Sequence, residues 1–264
     1  MSEGNVRPSV PALAEELLAA AESARPVEQL TARFPGLTLA EAYQIQLALI
    51  GRRRAGGRRT VGKKIGLTSL AMQELLGVRE PDYGYLLDDM VIPEGQPVAT
   101  ARLIAPKAEG EVAFLLGRDL AGPGVTAAAV LRATEAVMPA IEVVDSRIRD
   151  WKIKIQDTVA DNASSACLVL GGLLTPVAAL DLRYVGMVLE KNGEVVNTGA
   201  GAAVLGNPVT AVAWLANKLA EYGETLKAGE VVLSGAVTAA PPVVAGDVIR
   251  VTFDRLGTVA ARFA

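Results

Sequence analysis

Apolar positions along this chain keep two rhythms, and the change between them divides it. Over Pro11–Ala24, Leu13, Leu17 and Leu18 recur at helical spacing, and Pro26 follows, which predicts a helix. A second amphipathic stretch runs from Leu37 to Arg54, with Thr38 as N-cap and Glu41 three residues on, the pattern of a capping box. The basic, glycine-rich Gly51–Arg59 that follows reads as a solvated helix end and a turn. From Val61 the texture becomes strand-like, with β runs at Val112–Leu116, Ile141–Val144, Val185–Leu189, Val231–Ser234 and Val248–Phe253. Helices are expected near 125–137 and 208–222, and Asn192-Gly193 marks a tight hairpin. Few, unevenly spaced helices among hairpin-joined strands predict an α+β fold. The expected organisation is a helical N-terminal segment over 1–60 and a strand-rich unit over 61–264.

Composition narrows the chemistry. The net charge of −3 gives no basic face for nucleic acid. One cysteine, Cys167, permits no intramolecular disulfide and no thiolate metal cluster, and its apolar surroundings mark it as a small buried hydrophobe. There is no histidine, which removes every Ser-His or Cys-His nucleophile pair and the commonest metal ligand. Acid–base and metal chemistry must rest on Asp, Glu, Lys, Tyr or water, and oxygen-only sites suit Mg²⁺, Mn²⁺ or Ca²⁺. The start of the chain lacks a signal-peptide pattern, and the most apolar stretch, Ala166–Leu180, is broken by Gly171, Gly172 and Pro176. A cytoplasmic location without membrane association is the expectation.

Acidic residues in apolar runs are the strongest chemical signal. In the strand-like segment Lys107–Leu116, Glu109 and Glu111 fall on one face, roughly 7 Å apart at Cα, with side-chain-free Gly110 between them. Glu142 interrupts a further apolar run, Val137–Val144. Burying such charges is costly without compensation, and three carboxylates completed by water suit octahedral Mg²⁺ or Mn²⁺. Lys63 and Lys64, between glycines and apolar residues, are candidates for anion binding or proton transfer. Asp82 follows Pro81 in a turn-like setting, and the polar run Asp145–Ser165 reads as an active-site loop carrying Ser164.

The segments GKKIGLTS, GVREPDYGYL, KAEGEVAFLL, PAIEVVDSRIRDWKIKIQDTVADNASS, EKNGEVVNTGAGAAVLGNP and KAGEVVLSGA together resemble the 2-oxopent-4-enoate (2-hydroxypenta-2,4-dienoate) hydratases. These lie in the hydratase/decarboxylase branch of the fumarylacetoacetate hydrolase superfamily. The resemblance implies a mixed β-roll with the helical segment packed on it, and a homo-oligomer. It places the metal-binding glutamates on Glu109, Glu111 and Glu142, the active-site lysine on Lys64, the acidic residue on Asp82 and the serine on Ser164. It further implies hydration of a short 2-keto/enol acid in meta-cleavage degradation of aromatic compounds, with Mg²⁺ or Mn²⁺ as cofactor. In that scheme Lys64 binds anion and transfers protons, Asp82 is the general acid–base and Ser164 positions the substrate. Two alternatives travel with the resemblance: a 4-oxalocrotonate decarboxylase, and a non-catalytic partner subunit of a hydratase–decarboxylase complex. A dead partner is expected to have lost a carboxylate or Lys64, and all are present. Ser165-Ala-Cys-Leu168 departs from the small-residue-then-glycine pattern of the hydratases.

Overall fold

The computed structural model describes residues 8–264, so the reading of the extreme N-terminus lies outside the described residues. The described residues open with three helices, α1 (Val10–Ser23), α2 (Leu30–Arg33) and α3 (Leu39–Ala55). Then come β1 (Thr60–Gly66), α4 (Leu70–Leu76), β2 (Asp82–Leu87), β3 (Pro97–Val98), β4 (Lys107–Leu116) and α5 (Ala127–Ala133). The middle comprises β5 (Thr134–Val144), α6 (Ile155–Ala160), β6 (Ser165–Leu170) and the hairpin of β7 (Gly186–Lys191) and β8 (Glu194–Ala200). The last part is α7 (Pro208–Ala220), β9 (Val231–Ala236), β10 (Val248–Phe253) and β11 (Gly257–Phe263).

Local chemistry accounts for the element ends. Pro11 stands in the first turn of α1, whose buried Leu13, Ala14, Leu17 and Ala20 form one stripe. The predicted capping box of α3 is formed: Thr38 Oγ1 accepts from Glu41 N at 3.2 Å, and Glu41 Oε2 accepts from Thr38 N at 2.9 Å. Asn192 (φ 56°) and Gly193 (φ 86°) make the β7–β8 turn with both residues left-handed, as a type I′ turn requires. The helix expected near 125–137 is shorter. It ends at Ala133, and Thr134 already begins β5. The apolar run that continues the helical pattern is claimed by β4, which pairs with β5 along nearly its whole length, so tertiary pairing overrides local propensity.

Two sheets result. A six-stranded mixed sheet has the order β2-β1-β9-β4-β5-β6, and a five-stranded sheet has the order β3-β11-β10-β7-β8. Their inner faces meet at β4, where a Cβ on Gly110 would stand 3.0 Å from Val251 Cγ1 and 3.3 Å from Met187 Cε. One continuous apolar cluster joins helical residues such as Leu13, Tyr43 and Ile45 to sheet residues such as Tyr83, Phe114, Ile141 and Phe253. Among the described residues no helix is long and apolar enough to cross a membrane.

The late strand β9 inserts between β1 and β4, parallel to the first and antiparallel to the second. This insertion is what brings chemistry from distant sequence segments onto one sheet. Gly62 permits the join, because a Cβ there would lie 1.9 Å from the Val231 carbonyl oxygen. Gly62→Ala should therefore cost about 2 kcal/mol or more by overpacking, seen by calorimetry as a fall in melting temperature of roughly 4–8 °C.

Candidate metal centre and active site

The strand register sets the carboxylates against one another. Glu109 of β4 is directly opposite Glu142 of β5, and Glu111 lies two residues along the same face of β4. Glu111 and Glu142 are fully buried and Glu109 is half-buried. One carboxylate oxygen from each lies within 4.8 Å of the others. Like charges directly opposite on a sheet repel, and these sit where water does not screen them.

The hydrogen-bond inventory leaves the cluster short of donors. Gly235 N donates to Glu111 Oε2 at 2.6 Å, while Glu111 Oε1 and both oxygens of Glu142 accept no hydrogen bond. Lys64 Nζ is 3.3 Å from Glu142 Oε2 as an ion pair and donates to the carbonyl of Ala163 at 3.1 Å. Buried oxygens of Glu111 and Glu142 without hydrogen-bond donors, with a Glu109 oxygen converging on them, fit an oxygen-bound divalent cation. Burial pushes Glu109 up to about 7, with Lys64 countering and Glu142 adding to the rise. Burial likewise raises Glu111 well above the usual carboxylate range, reinforced by Glu142 and Glu109. For Lys64 burial acts to lower the pKa, but Glu142, Asp82, Glu109 and Glu111 outweigh it, and the ammonium stays charged.

Asp82 begins strand β2 instead of occupying a free turn, because β2 pairs antiparallel with β1 and sets Asp82 opposite Gly66. Its carboxylate packs against that glycine, where a Cβ would fall 2.2 Å from Oδ1 and 3.3 Å from Lys64 Nζ. Burial raises the Asp82 pKa, with Lys64 the main counterweight. Ser164 is also buried, and its Oγ is 3.4 Å from Thr158 Oγ1, which in turn is 3.5 Å from Asp82 Oδ2. The structure thus gathers Lys64, Asp82, Glu109, Glu111, Glu142 and Ser164 into one region. Lys63, by contrast, faces the other way and pairs with Glu230 at 3.1 Å.

The polar run Asp145–Ser165 proves to be mostly scaffold. Asp145 caps the amides of Ile104 and Ala105 at 2.8 and 2.7 Å. Asp157 takes Thr31 N and Oγ1 at 2.9 and 2.7 Å and Lys154 N at 2.8 Å. Arg147 pairs with buried Asp161, whose pKa burial lifts to about 6 with Arg147 opposing. Asn162, Ala163 and Ser164 are three consecutive left-handed residues (φ 53°, 50° and 55°), each costing about 1–2 kcal/mol. Their conformation is held by Asn162, whose Oδ1 accepts from Tyr85 N at 2.8 Å and whose Nδ2 donates to Tyr85 O at 2.9 Å. Gly84 gives the turn its space, since a Cβ there would be 2.4 Å from the Asn162 carbonyl oxygen. Thr158, the Ala163 carbonyl and Gly235 are site residues that sequence reasoning passed over, as is Asn162, which holds the turn beside them. Only the glycines, at positions where strands approach closely, hinted at them.

A two-sheet α+β fold with a half-open strand face bearing three clustered carboxylates, a charged lysine and a buried aspartate defines a class of oxygen-ligand divalent-cation centre. Comparison with known proteins gives the particular family: residues 63–264 match the fumarylacetoacetate (FAA) hydrolase C-terminal family, and the chain belongs to it. It is 49% identical over 251 residues to 2-hydroxyhexa-2,4-dienoate hydratase of Comamonas testosteroni, covering 94% of this chain and 95% of that one. It is 54% identical over 212 residues to 2-hydroxypent-2,4-dienoate hydratase of Pseudomonas putida, covering 80% and 96%. The solved 4-oxalocrotonate decarboxylase from Pseudomonas putida G7, complexed with magnesium and adipate, superposes with a TM-score of 0.94 at 44% identity over 97% of each chain.

Two outcomes are expected here. Glu109 has a folded pKa of about 7 against 4.5 unperturbed, so the metal-free fold holds more protons than the unfolded chain across that window. Its stability contribution is complete below 4.5 and is lost as pH rises through 7. Melting temperatures of chelator-treated protein should fall across this range, and added Mg²⁺ or Mn²⁺ should restore them by an increment that grows with pH. Asn162→Ala should cost about 2–4 kcal/mol in denaturant unfolding, since two buried backbone groups of Tyr85 lose their partner.

Proposed function

We propose that this chain is a divalent-cation-dependent hydro-lyase that adds water to 2-hydroxypenta-2,4-dienoate (2-oxopent-4-enoate), giving 4-hydroxy-2-oxopentanoate. The observation that carries the reading is the convergence of Glu109, Glu111 and Glu142, with buried oxygens of Glu111 and Glu142 that accept no hydrogen bond, beside a charged Lys64 and a buried Asp82. The names of the hydratase relatives supply the substrate class. Glu109, Glu111 and Glu142 would hold Mg²⁺ or Mn²⁺. Such a cation supplies Lewis-acid stabilisation of negative charge on the 2-oxygen of the substrate.

The protein's own groups divide the remaining work. Lys64 keeps its proton under the field of the carboxylates, so it serves as an anion-binding group and proton donor, not as a resting base. Asp82, with a pKa raised by burial, takes and returns protons. The enol O–H proton is lost and C5 gains a proton, giving the conjugated 2-oxo-3-enoate; water then delivers hydroxyl to C4 and a proton to C3. Ser164, in contact with Thr158 and through it with Asp82, positions water or substrate. The whole unit over 61–264 is read as the catalytic β-roll and 1–60 as its helical cover, in a cytoplasmic homo-oligomer of aromatic-compound catabolism, able to associate with a related decarboxylase.

A second reading, decarboxylation of a 2-oxo diacid, is favoured by the close superposition on the decarboxylase structure. Chelator-stripped protein should be given 2-hydroxypenta-2,4-dienoate and, separately, 2-oxohex-3-enedioate, with and without Mg²⁺ or Mn²⁺. Metal-dependent loss of the dienoate with formation of 4-hydroxy-2-oxopentanoate is the expected result, and Lys64→Met should lower kcat by about 10²–10⁴-fold. Release of CO₂ from the diacid without hydration of the dienoate would replace this reading by the second.

A further inference from the structure

Helix α6, at six residues, is too short to hold its shape unaided, and the helical segment anchors it on both sides of one residue. Asp157 accepts from Thr31 N at 2.9 Å, Thr31 Oγ1 at 2.7 Å, Gln29 Nε2 at 3.1 Å and Lys154 N at 2.8 Å. The carbonyl of Val159 accepts from Gln46 Nε2 at 3.0 Å. Between these two anchors stands Thr158.

Thr158 is buried, and its β-branched side chain has few rotamers to choose from. A threonine on a helix can donate back to the carbonyl four residues earlier, as Thr134 does to Val130 at 2.8 Å. Thr158 makes no such bond among the described residues. Its Oγ1 lies instead between Asp82 Oδ2 at 3.5 Å and Ser164 Oγ at 3.4 Å. These separations are long for hydroxyl hydrogen bonds, as catalytic contacts often are before substrate tightens the site. Asp82 Oδ1 accepts no hydrogen bond, so Thr158 is the one side-chain donor at this carboxylate among the described residues.

The chemistry of the three groups fixes the direction of the chain. An ionised carboxylate only accepts and a hydroxyl has one proton to give. Thr158 therefore donates to Asp82, and Ser164 donates to Thr158. The lone pairs of Ser164 Oγ are left to accept a proton from a molecule in the site.

We propose that Thr158 is a positioning residue of the hydration step, the middle member of a relay that carries a proton from the attacking water through Ser164 to Asp82. This rests on the hydratase reading above, in which Asp82 is the acid–base group, and adds the path to it. As the water oxygen bonds to C4, the C3=C4 electron pair shifts toward the 2-oxygen and the water proton goes to Ser164 Oγ. The Ser164 proton passes to Thr158 Oγ1 and the Thr158 proton to Asp82 Oδ2. Both hydroxyls end as they began. Asp82 then returns its proton to C3 as the ketone reforms. The anchors at Asp157 and Val159 keep the middle hydroxyl in line, so the helical segment reaches the chemistry through α6.

The test compares wild type, Thr158→Val and Thr158→Ser, each Mg²⁺-loaded, on 2-hydroxypenta-2,4-dienoate across pH. Thr158→Val keeps the branched shape and should lower kcat by about 10²-fold with KM held within about 2-fold. It should also move the acid limb of kcat to higher pH. Asp82 must be ionised to take the proton, and the lost donor is one that lowers its pKa. Lys64 of β1, Glu142 of β5, Glu109 of β4 and Tyr43 of α3 also act on or feel Asp82. They are identical in all three proteins, so a moved limb reports the hydroxyl. Thr158→Ser should keep the limb in place and most of kcat. Thr158→Ala is read in the same way as the valine variant if the latter does not fold. Wild-type kcat and limb in Thr158→Val, an equal loss in Thr158→Ser, or a rise in KM alone overturns the relay and leaves the hydratase reading standing. Failure of wild type to hydrate the dienoate overturns both.

Discussion

Three glutamates brought together on facing strands impose the constraint around which the rest of this structure is arranged. Antiparallel pairing puts Glu109 opposite Glu142 and keeps Glu111 on the same face, in surroundings where each ionised carboxylate carries a desolvation penalty. An unpaired cluster of this kind would destabilise the sheet. The structure answers in part with the Lys64 ammonium and the Gly235 amide, and leaves Glu111 Oε1 and both Glu142 oxygens without a hydrogen-bond donor. Packing on the other side of the strand is tuned to the same end. Gly110 lets Val251 and Met187 press against β4, so the strand is clamped from behind while its front face carries charge.

Around this cluster the polar groups fall into two kinds. Those that reach the site are few: Lys64, Asp82, Ser164 and the Ala163 carbonyl. A larger set holds them in place, including Asp145, Arg147, Asp157, Asp161 and Asn162, each buried and each engaged with backbone or a partner side chain. The left-handed turn at 162–164 shows why so many are needed. A strained conformation persists only where its neighbours over-determine it, and here a side-chain amide, a buried ion pair and a glycine opposite all enforce it.

The helical segment contributes through the same scaffold. Gln46 of α3 donates to the carbonyls of Tyr83 and Val159 at 2.8 and 3.0 Å, and Thr31 satisfies Asp157. The helices therefore support β2 and α6, the two elements that carry Asp82 and Thr158. Absence of histidine makes this support more consequential. Proton transfer has to be carried by carboxylate, ammonium and hydroxyl groups, whose pKa values reach a useful range only when burial and neighbouring charge shift them.

Much of this was legible in the chain itself. The capping box at Thr38, the Asn192-Gly193 turn, the alternation that places Glu109 and Glu111 on one face, and the intrusion of Glu142 into an apolar run are local patterns. Their physical causes act over a few residues. The α+β class and the oxygen-only chemistry followed from them and from the missing histidine. Other features depended on contacts between distant segments. The insertion of β9 between β1 and β4, the end of α5 at Ala133, the conversion of the Asp82 turn into a strand start, and the sorting of Asp145–Ser165 into scaffold and site are of this kind. A charged residue in a polar run carries no mark of whether its partner is water, a backbone amide 40 residues away or a reacting group. Only the register of the sheets, which sets who stands opposite whom, decides that.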